Sequence, residues 1–446
     1  MHDLIITGRI ISGESWFDGA IAIDGGKITW VRREKPPKNI AGEYHDYGSR
    51  YIMPGIVDTH VHFRDPGLTE KEDFGTGSIS AAFGGVTTVL DMPNTIPPVI
   101  DTVSLVDKNN ISSRSSVIDY GLYMGIIDES SPRTIDKELS GSGKAPPPSA
   151  YKCFLGESTG KLILRDINNI QKSLHYADIV KRKMSVHAED GGILERYKDR
   201  ESTGGLLEGH LKRRPWQAET VAISRLKDVS GRYARSIHLL HISSSSGINA
   251  ARGTRCTIEV TPHHLFFDME NTRNLETPSF AKVNPPIRTR SDRAALWEGI
   301  SRGDVQTIGS DHAPHKIEEK SDGVNPPSGM PGVETMLPLL LNEVSKKNIT
   351  IFRLTNLLSS NPTKIFGIKN KGMIKEGYDA DLVVFDISKK RRIRSEDLHS
   401  KCGWSTYEGM YGIFPEAVYS IGEKIIEGDN LLCGAGRGAN VCAHPP

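Results

Sequence analysis

Eight short apolar runs constrain this chain more than any other feature. They read GIVDTHVHF (55–63), VTTVLDM (86–92), VIDYGLYMG (117–125), AYKCFLG (150–156), MSVHAED (184–190), IHLLHIS (237–243), CTIEVTP (256–262) and VQTIGSD (305–311). Runs this short, and this rich in β-branched residues, predict strands. Amphipathic stretches such as 99–113 and WQAETVAISRLKDVS (216–230) lie between them and predict helices. Eight strands with intervening helices point to an α/β chain whose middle closes as a (β/α)8 TIM-like barrel. There is no tandem repeat.

The two ends have a different texture. DLIITGRIIS and GAIAIDGGKITWV near the start are short strand patterns broken by glycines, and DADLVVFD (379–386) and AVYSIGEKIIEG (417–428) repeat that texture near the finish. They predict a small β-sandwich domain built from both chain ends, residues 1–53 plus 370–432. The barrel would then span 54–369, and 433–446 would be a flexible tail. SGSGKAPPPS (140–149) reads as a loop, and 315–332 as a long mobile one.

The bulk numbers exclude several classes. A net charge of +1 gives no electrostatic case for nucleic acid or an anionic membrane. No apolar stretch is long enough for a transmembrane helix, and the first residues lack the apolar core of a signal peptide. The 5 cysteines are odd in number and far apart, which argues against a disulfide framework and for a reducing cytoplasm.

Barrel strands converge with their C-terminal ends on one mouth, where active sites form. His60 and His62 end the first candidate strand, and alternate strand residues share a face, so both imidazoles can reach one ion. Lys152 lies in the fourth strand, His187 ends the fifth, His241 the sixth and Asp311 the eighth. Taken singly, a His-x-His pair is commonly a surface feature, a strand lysine snorkels, and a terminal aspartate caps a helix. Set on separate strands in barrel order, they form a donor set suited to zinc or a similar divalent ion.

The series DTHVHFRDPG, DMPNT, YKCFLG, SVHAED, HLLHIS, EVTPHHL, NPPIR and GSDHAPH resembles the amidohydrolase superfamily, and within it the dihydroorotases with a bridging lysine. The resemblance covers about residues 1–430, including the split β domain. It implies two zinc ions per subunit. His60, His62 and Asp311 would hold the first, and His187 and His241 the second. Lys152, carboxylated by carbon dioxide to N6-carboxylysine, would bridge both. A cationic lysine cannot ligate zinc, whereas its carbamate presents two anionic oxygens. His241 rather than His238 matches the family's ligand. Leu240 stands where some animal relatives carry a cysteine that helps hold a third metal, although the matching Glu259 remains.

The same resemblance implies a reaction: reversible closure of N-carbamoyl-L-aspartate to L-dihydroorotate and water, in de novo pyrimidine (UMP) biosynthesis. Asp311 would shuttle the proton as both base and acid. Arg64, two residues beyond His62 on the same strand face, would clamp the substrate carboxylate with paired hydrogen bonds. Asn94 and His315 match the family's other carboxylate contacts, Asn284 a contact to the ring edge, and His62 also faces substrate. Ser328-Gly329 stands where many bacterial relatives have a Phe-Gly pair. The rival readings are allantoinase, hydantoinase and dihydropyrimidinase. Allantoinase and dihydropyrimidinase substrates lack the free ring carboxylate and need no clamp. A scaffold relative would lose ligands, and here all six positions are filled. The expected partner is the small-molecule substrate alone, with a homodimer as the candidate assembly.

Overall fold

The computed structural model describes residues 1–128, 146–157, 162–201 and 204–442. The chain starts with four strands: β1 (His2–Ser12), β2 (Ser15–Asp24), β3 (Lys27–Arg32) and β4 (Ala41–Pro54). The eight barrel strands follow: β5 (Ile56–Val61), β6 (Val86–Asp91), β7 (Asp119–Gly125), β8 (Ala150–Phe154), β9 (Met184–His187), β10 (Ile237–Leu239), β11 (Thr257–Val260) and β12 (Thr307–Ile308). Each of the apolar runs supplies one of them. They pair in parallel and in sequence order. Closure comes from a Val61–His312 bridge, with the His62 amide donating to the His312 carbonyl at 2.8 Å.

Among the described residues, helices lie in every crossover except that between β7 and β8. Thr102–Ser115 and Trp216–Ser230 form where the amphipathic patterns predict them. Local chemistry sets the start of the first: the Asp101 carboxylate accepts from the Ser104 amide, and the Ser104 hydroxyl sits against the Asp101 amide. Among the described residues, no helix is long and apolar enough to cross a membrane.

The last strands are β13 (Leu382–Phe385), β14 (Arg391–Arg392), β15 (Tyr411–Gly412), β16 (Ala417–Ser420), β17 (Glu423–Glu427) and β18 (Asn430–Leu431). Both chain ends merge into one eight-stranded sheet of order β18-β17-β16-β13-β4-β1-β2-β3, while β14 and β15 pair separately. The seam is β4 against β13, antiparallel, with Ile52 opposite Val384. Only Gly55 separates β4 from β5. A Cβ there would lie 2.2 Å from Thr87 Oγ1, and the Gly55 amide donates to the Asp381 carbonyl at 2.8 Å. Beneath the barrel, the buried Lys371 ammonium lies 2.7 Å from both Asp119 of β7 and Asp381 beside β13, locking the two units together.

Two sequence expectations are corrected. The tail is not free up to Cys442. The Tyr120 amide donates to the Ala439 carbonyl at 3.0 Å, the Val441 amide donates to the Tyr120 carbonyl at 2.8 Å, and Arg437 Nη1 donates to the Val117 carbonyl at 2.9 Å. Val441 packs on the apolar cluster of Val57, Leu90, Met92, Tyr123 and Leu240. Backbone pairing needs no particular side chains, so a Gly-rich composition hid it. Residues 443–446 lie outside the described residues, as do 140–145 of the Pro/Gly loop.

Segment 315–332 is likewise tied down. It contains a short helix, Ile317–Lys320. The fully buried Lys320 ammonium donates to the carbonyls of Lys282 at 3.1 Å and Pro327 at 3.0 Å, and Trp404 Nε1 donates to the His315 carbonyl at 2.7 Å. One buried cation with two carbonyl partners orders the loop in a way its Pro/Gly content conceals.

Candidate active site

The strand ends converge on one cavity, lined by His60, His62, Arg64, Asn94, Lys152, Phe154, His187, His241, Asn284, Asp311, Ala313, Ser328 and Gly329. All six expected ligand positions face it, drawn from five strands or the residues just after them. Of the expected substrate contacts, only His315 is not in its wall. It stands behind Arg64, with Nε2 3.2 Å from Arg64 Nη2 and 3.1 Å from the Ser328 carbonyl.

Three non-glycine residues here have left-handed backbones: Arg64 (φ 65°), His241 (φ 37°) and Asp311 (φ 47°). Such strain gathers where a side chain must be re-aimed at a functional site. For Arg64 this corrects the simple strand reading. β5 ends at Val61, so Arg64 reaches the cavity through a left-handed turn and not by alternation with His62. It is 2% exposed, and its Nε donates to the Pro314 carbonyl at 3.1 Å. Burial lowers its pKa to about 10, so it remains a cation.

The imidazoles are oriented by a second ring of carboxylates. His60 Nδ1 lies 2.7 Å from Glu259 Oε1, and His187 Nε2 lies 2.7 Å from Glu189 Oε2. Each ring thus gives one N–H outward and turns its other nitrogen to the cavity, as metal-binding histidines do. Glu189 in turn pairs with Arg214, and Glu259 also approaches His238. Burial pushes both carboxyl groups upward. For Glu259 the neighbouring His60 and His238 outweigh it and set the pKa to about 2, and for Glu189 Arg214 and His187 hold the group well below the usual range. Sequence pattern alone does not single out Glu189, Arg214 or the lining Phe154. Glu189 stands two residues after His187, which is the one sequence signal for it.

The inner donor set fits a cation. With its Nδ1 hydrogen given to Glu259, His60 turns a bare Nε2 toward Asp311 Oδ1 at 3.2 Å, acceptor against acceptor. His62 Nε2 lies 3.2 Å from the same oxygen. Ligand atoms of His60, His241 and Asp311 all lie within 4.8 Å of one another. The outer nitrogens of His62 and His241 are buried without a hydrogen-bond partner. Burial raises Asp311, but His60, His62 and His241 override it and hold the carboxyl well below its usual range. Lys152 is 1% exposed, and burial lowers its pKa to about 8. A neutral amine is therefore accessible near neutral pH, as carbamate formation requires.

Comparison with known proteins agrees with this geometry. Residues 49–126 match the dihydro-orotase-like family and residues 166–408 the amidohydrolase family. The chain is 35% identical to the dihydroorotase of Halobacterium salinarum, over 96% of this chain and 99% of that one. It is also 35% identical to the dihydroorotase of Pyrococcus horikoshii, over 98% and 95%. Among solved structures, the L-hydantoinase (dihydropyrimidinase) of Arthrobacter aurescens superimposes with a TM-score of 0.90 at 25% identity, covering 99% of both chains. With near-full-length relatives above 30% identity and a family match over more than half its length, this chain belongs to the dihydroorotase family of amidohydrolases.

Proposed function

We propose that this chain is a dihydroorotase, a cyclic amide hydrolase that interconverts N-carbamoyl-L-aspartate and L-dihydroorotate. The observation that carries this reading is the buried Arg64 guanidinium at the wall of a cavity whose other side is a His/Asp/Lys donor set. The hydantoinase-type neighbours share the fold, but the carboxylate clamp gives dihydroorotate a recognition element that dihydrouracil cannot use.

The donor set would hold two zinc ions: His60, His62 and Asp311 would serve the first, His187 and His241 the second, and Lys152, once carboxylated, would serve both. When bound, such ions acidify a water and polarise an amide carbonyl. The protein residues do the rest. Asp311, kept anionic by the three imidazoles, accepts the proton of the attacking water and hands it to the ring nitrogen as the amide opens. In the closing direction it returns that proton, as microscopic reversibility requires. Arg64 and Asn94 receive the substrate carboxylate, with His315 beside them. Asn284 and the Ser328-Gly329 backbone meet the ring edge, and Ser328 Oγ, 3.1 Å from Asn284 Oδ1, fixes that amide's orientation.

Five free cysteines accord with a cytoplasmic setting. The test is direct: purified protein is assayed in both directions with dihydroorotate and carbamoyl-aspartate, and in parallel with allantoin and dihydrouracil. Turnover of the first pair is expected. Activity confined to the second pair would overturn the assignment.

A further inference from the structure

The two segments that carry Arg64 and Asn94 leave the barrel side by side, just after β5 and β6. Backbone bonds join them on either side of those residues. The Met92 amide donates to the Val61 carbonyl at 2.9 Å, and the Ile96 amide donates to the Pro66 carbonyl at 3.1 Å. Between these bonds lie the Phe63 amide and the Met92 carbonyl, and one ion pair takes both. Asp91 Oδ1 accepts from the Phe63 amide at 2.7 Å. Lys108 Nζ, from helix Thr102–Ser115, donates to the Met92 carbonyl at 2.8 Å. Asp91 Oδ2 pairs with the same Nζ, and both side chains are 0% exposed.

A pair this buried is a poor source of stability, because apolar side chains of similar volume commonly serve as well. Apolar side chains cannot, however, accept from one backbone segment and donate to another. The carboxylate fixes the approach to the left-handed turn at Arg64. The ammonium fixes the approach to Asn94. On its other flank the chain entering the turn is held by the His62 amide, which donates to the His312 carbonyl at 2.8 Å. Burial pushes the Asp91 carboxyl up, and Lys108 and the Phe63 amide oppose that rise.

We propose that Asp91 and Lys108 are positioning residues that hold Arg64 and Asn94 at a fixed spacing, so that both meet one substrate carboxylate. This rests on the reading above that those two residues receive it. Neither Asp91 nor Lys108 lines the cavity, so the pair acts through the backbone it holds. Lys108 is 16 residues from Met92 in sequence, and no local motif joins them.

The test uses the zinc-loaded full chain. Asp91→Leu combined with Lys108→Met removes both ties while keeping apolar volume and leaving no orphan charge. This paired variant is expected to raise KM for dihydroorotate about tenfold, with kcat within about threefold and zinc content unchanged, because the carboxylate is held alike in ground and transition states. Asp91→Asn alone keeps an acceptor for Phe63 and the lysine on Met92, so KM should stay within about threefold. If Asp91→Asn matches the paired variant, the pair acts by its charge and the proposal is wrong. Added to Arg64→Lys, the paired substitution should lower kcat/KM by no more than about threefold, since the clamp it positions is already damaged. A further fall of about tenfold there, or a loss confined to kcat, overturns the proposal.

Amide hydrogen exchange gives a reading independent of turnover. The Phe63 amide should exchange slowly in wild type and at least about tenfold faster in the paired variant. Equal rates overturn the brace, and rapid exchange at Phe63 in wild type overturns it even if the paired variant does not fold. A wild-type chain inert toward dihydroorotate overturns the reaction assigned above, and the exchange rate at Phe63 still decides whether Asp91 holds that turn.

Discussion

Replacing Arg64 with lysine tests substrate recognition most sharply. The guanidinium is 2% exposed, lines the cavity, gives Nε to the Pro314 carbonyl and rests Nη2 3.2 Å from His315 Nε2. Lysine preserves the charge but not the planar fork, so at least one charge-assisted hydrogen bond to the carboxylate is lost. A bond of that kind is worth about 1.5–3 kcal/mol, which corresponds to about a 10- to 150-fold fall in kcat/KM. The carboxylate takes no part in the chemistry and is held alike in ground and transition states. Most of the loss should therefore fall on KM. The assay is the ultraviolet change on ring opening of dihydroorotate, at matched zinc content. Dihydrouracil, which has no carboxylate, gives the control, since any trace activity on it should not fall in parallel. A variant whose kcat/KM stays within about twofold of wild type refutes the clamp.

Other outcomes follow from the same geometry. Asp311→Asn should lower kcat by about 10²- to 10⁴-fold in both directions, measured by the same assay, because one carboxylate acts as base and as acid. Glu259→Ala removes the acceptor that orients His60 and should weaken zinc binding about 10- to 100-fold in a chelator competition. For Lys152 in metal-stripped protein the sign is clear: burial lowers its pKa, so the reactive neutral amine grows as pH rises through about 8. Recovery of activity with zinc and bicarbonate should accelerate over that window, and a rate independent of pH between about 6 and 9 would count against the carbamate. Truncation after Cys433 removes the backbone pairs to Tyr120 and the Val441 contact, and should lower the thermal midpoint by a few degrees while kcat persists.

The barrel was readable because each strand is one β-branched apolar run, buried along nearly all its length, and because the site residues cluster at run ends. The six candidate ligand positions lie on or just after these runs, although the choice of His241 over His238 came from the family resemblance. What escaped is long-range or backbone-borne. Arg214 reaches Glu189 from 25 residues away, with no periodic signature. The left-handed turn at Arg64 is invisible in a pattern that happens to place it at His62 plus two. The tail and segment 315–332 looked loose because composition reports side chains, while carbonyls and amides hold both in place.

The composite sheet has a consequence for how the enzyme comes into being. β4 is joined by a single glycine to β5, which carries His60, yet the antiparallel neighbour of β4 at the seam is β13, more than 300 residues later. On a ribosome, the first half-sheet must wait with its seam edge unpaired until almost the whole chain has emerged. The strand that carries His60 therefore gains its last neighbours late, and the cavity it lines is completed only when nearly the whole polypeptide has been made.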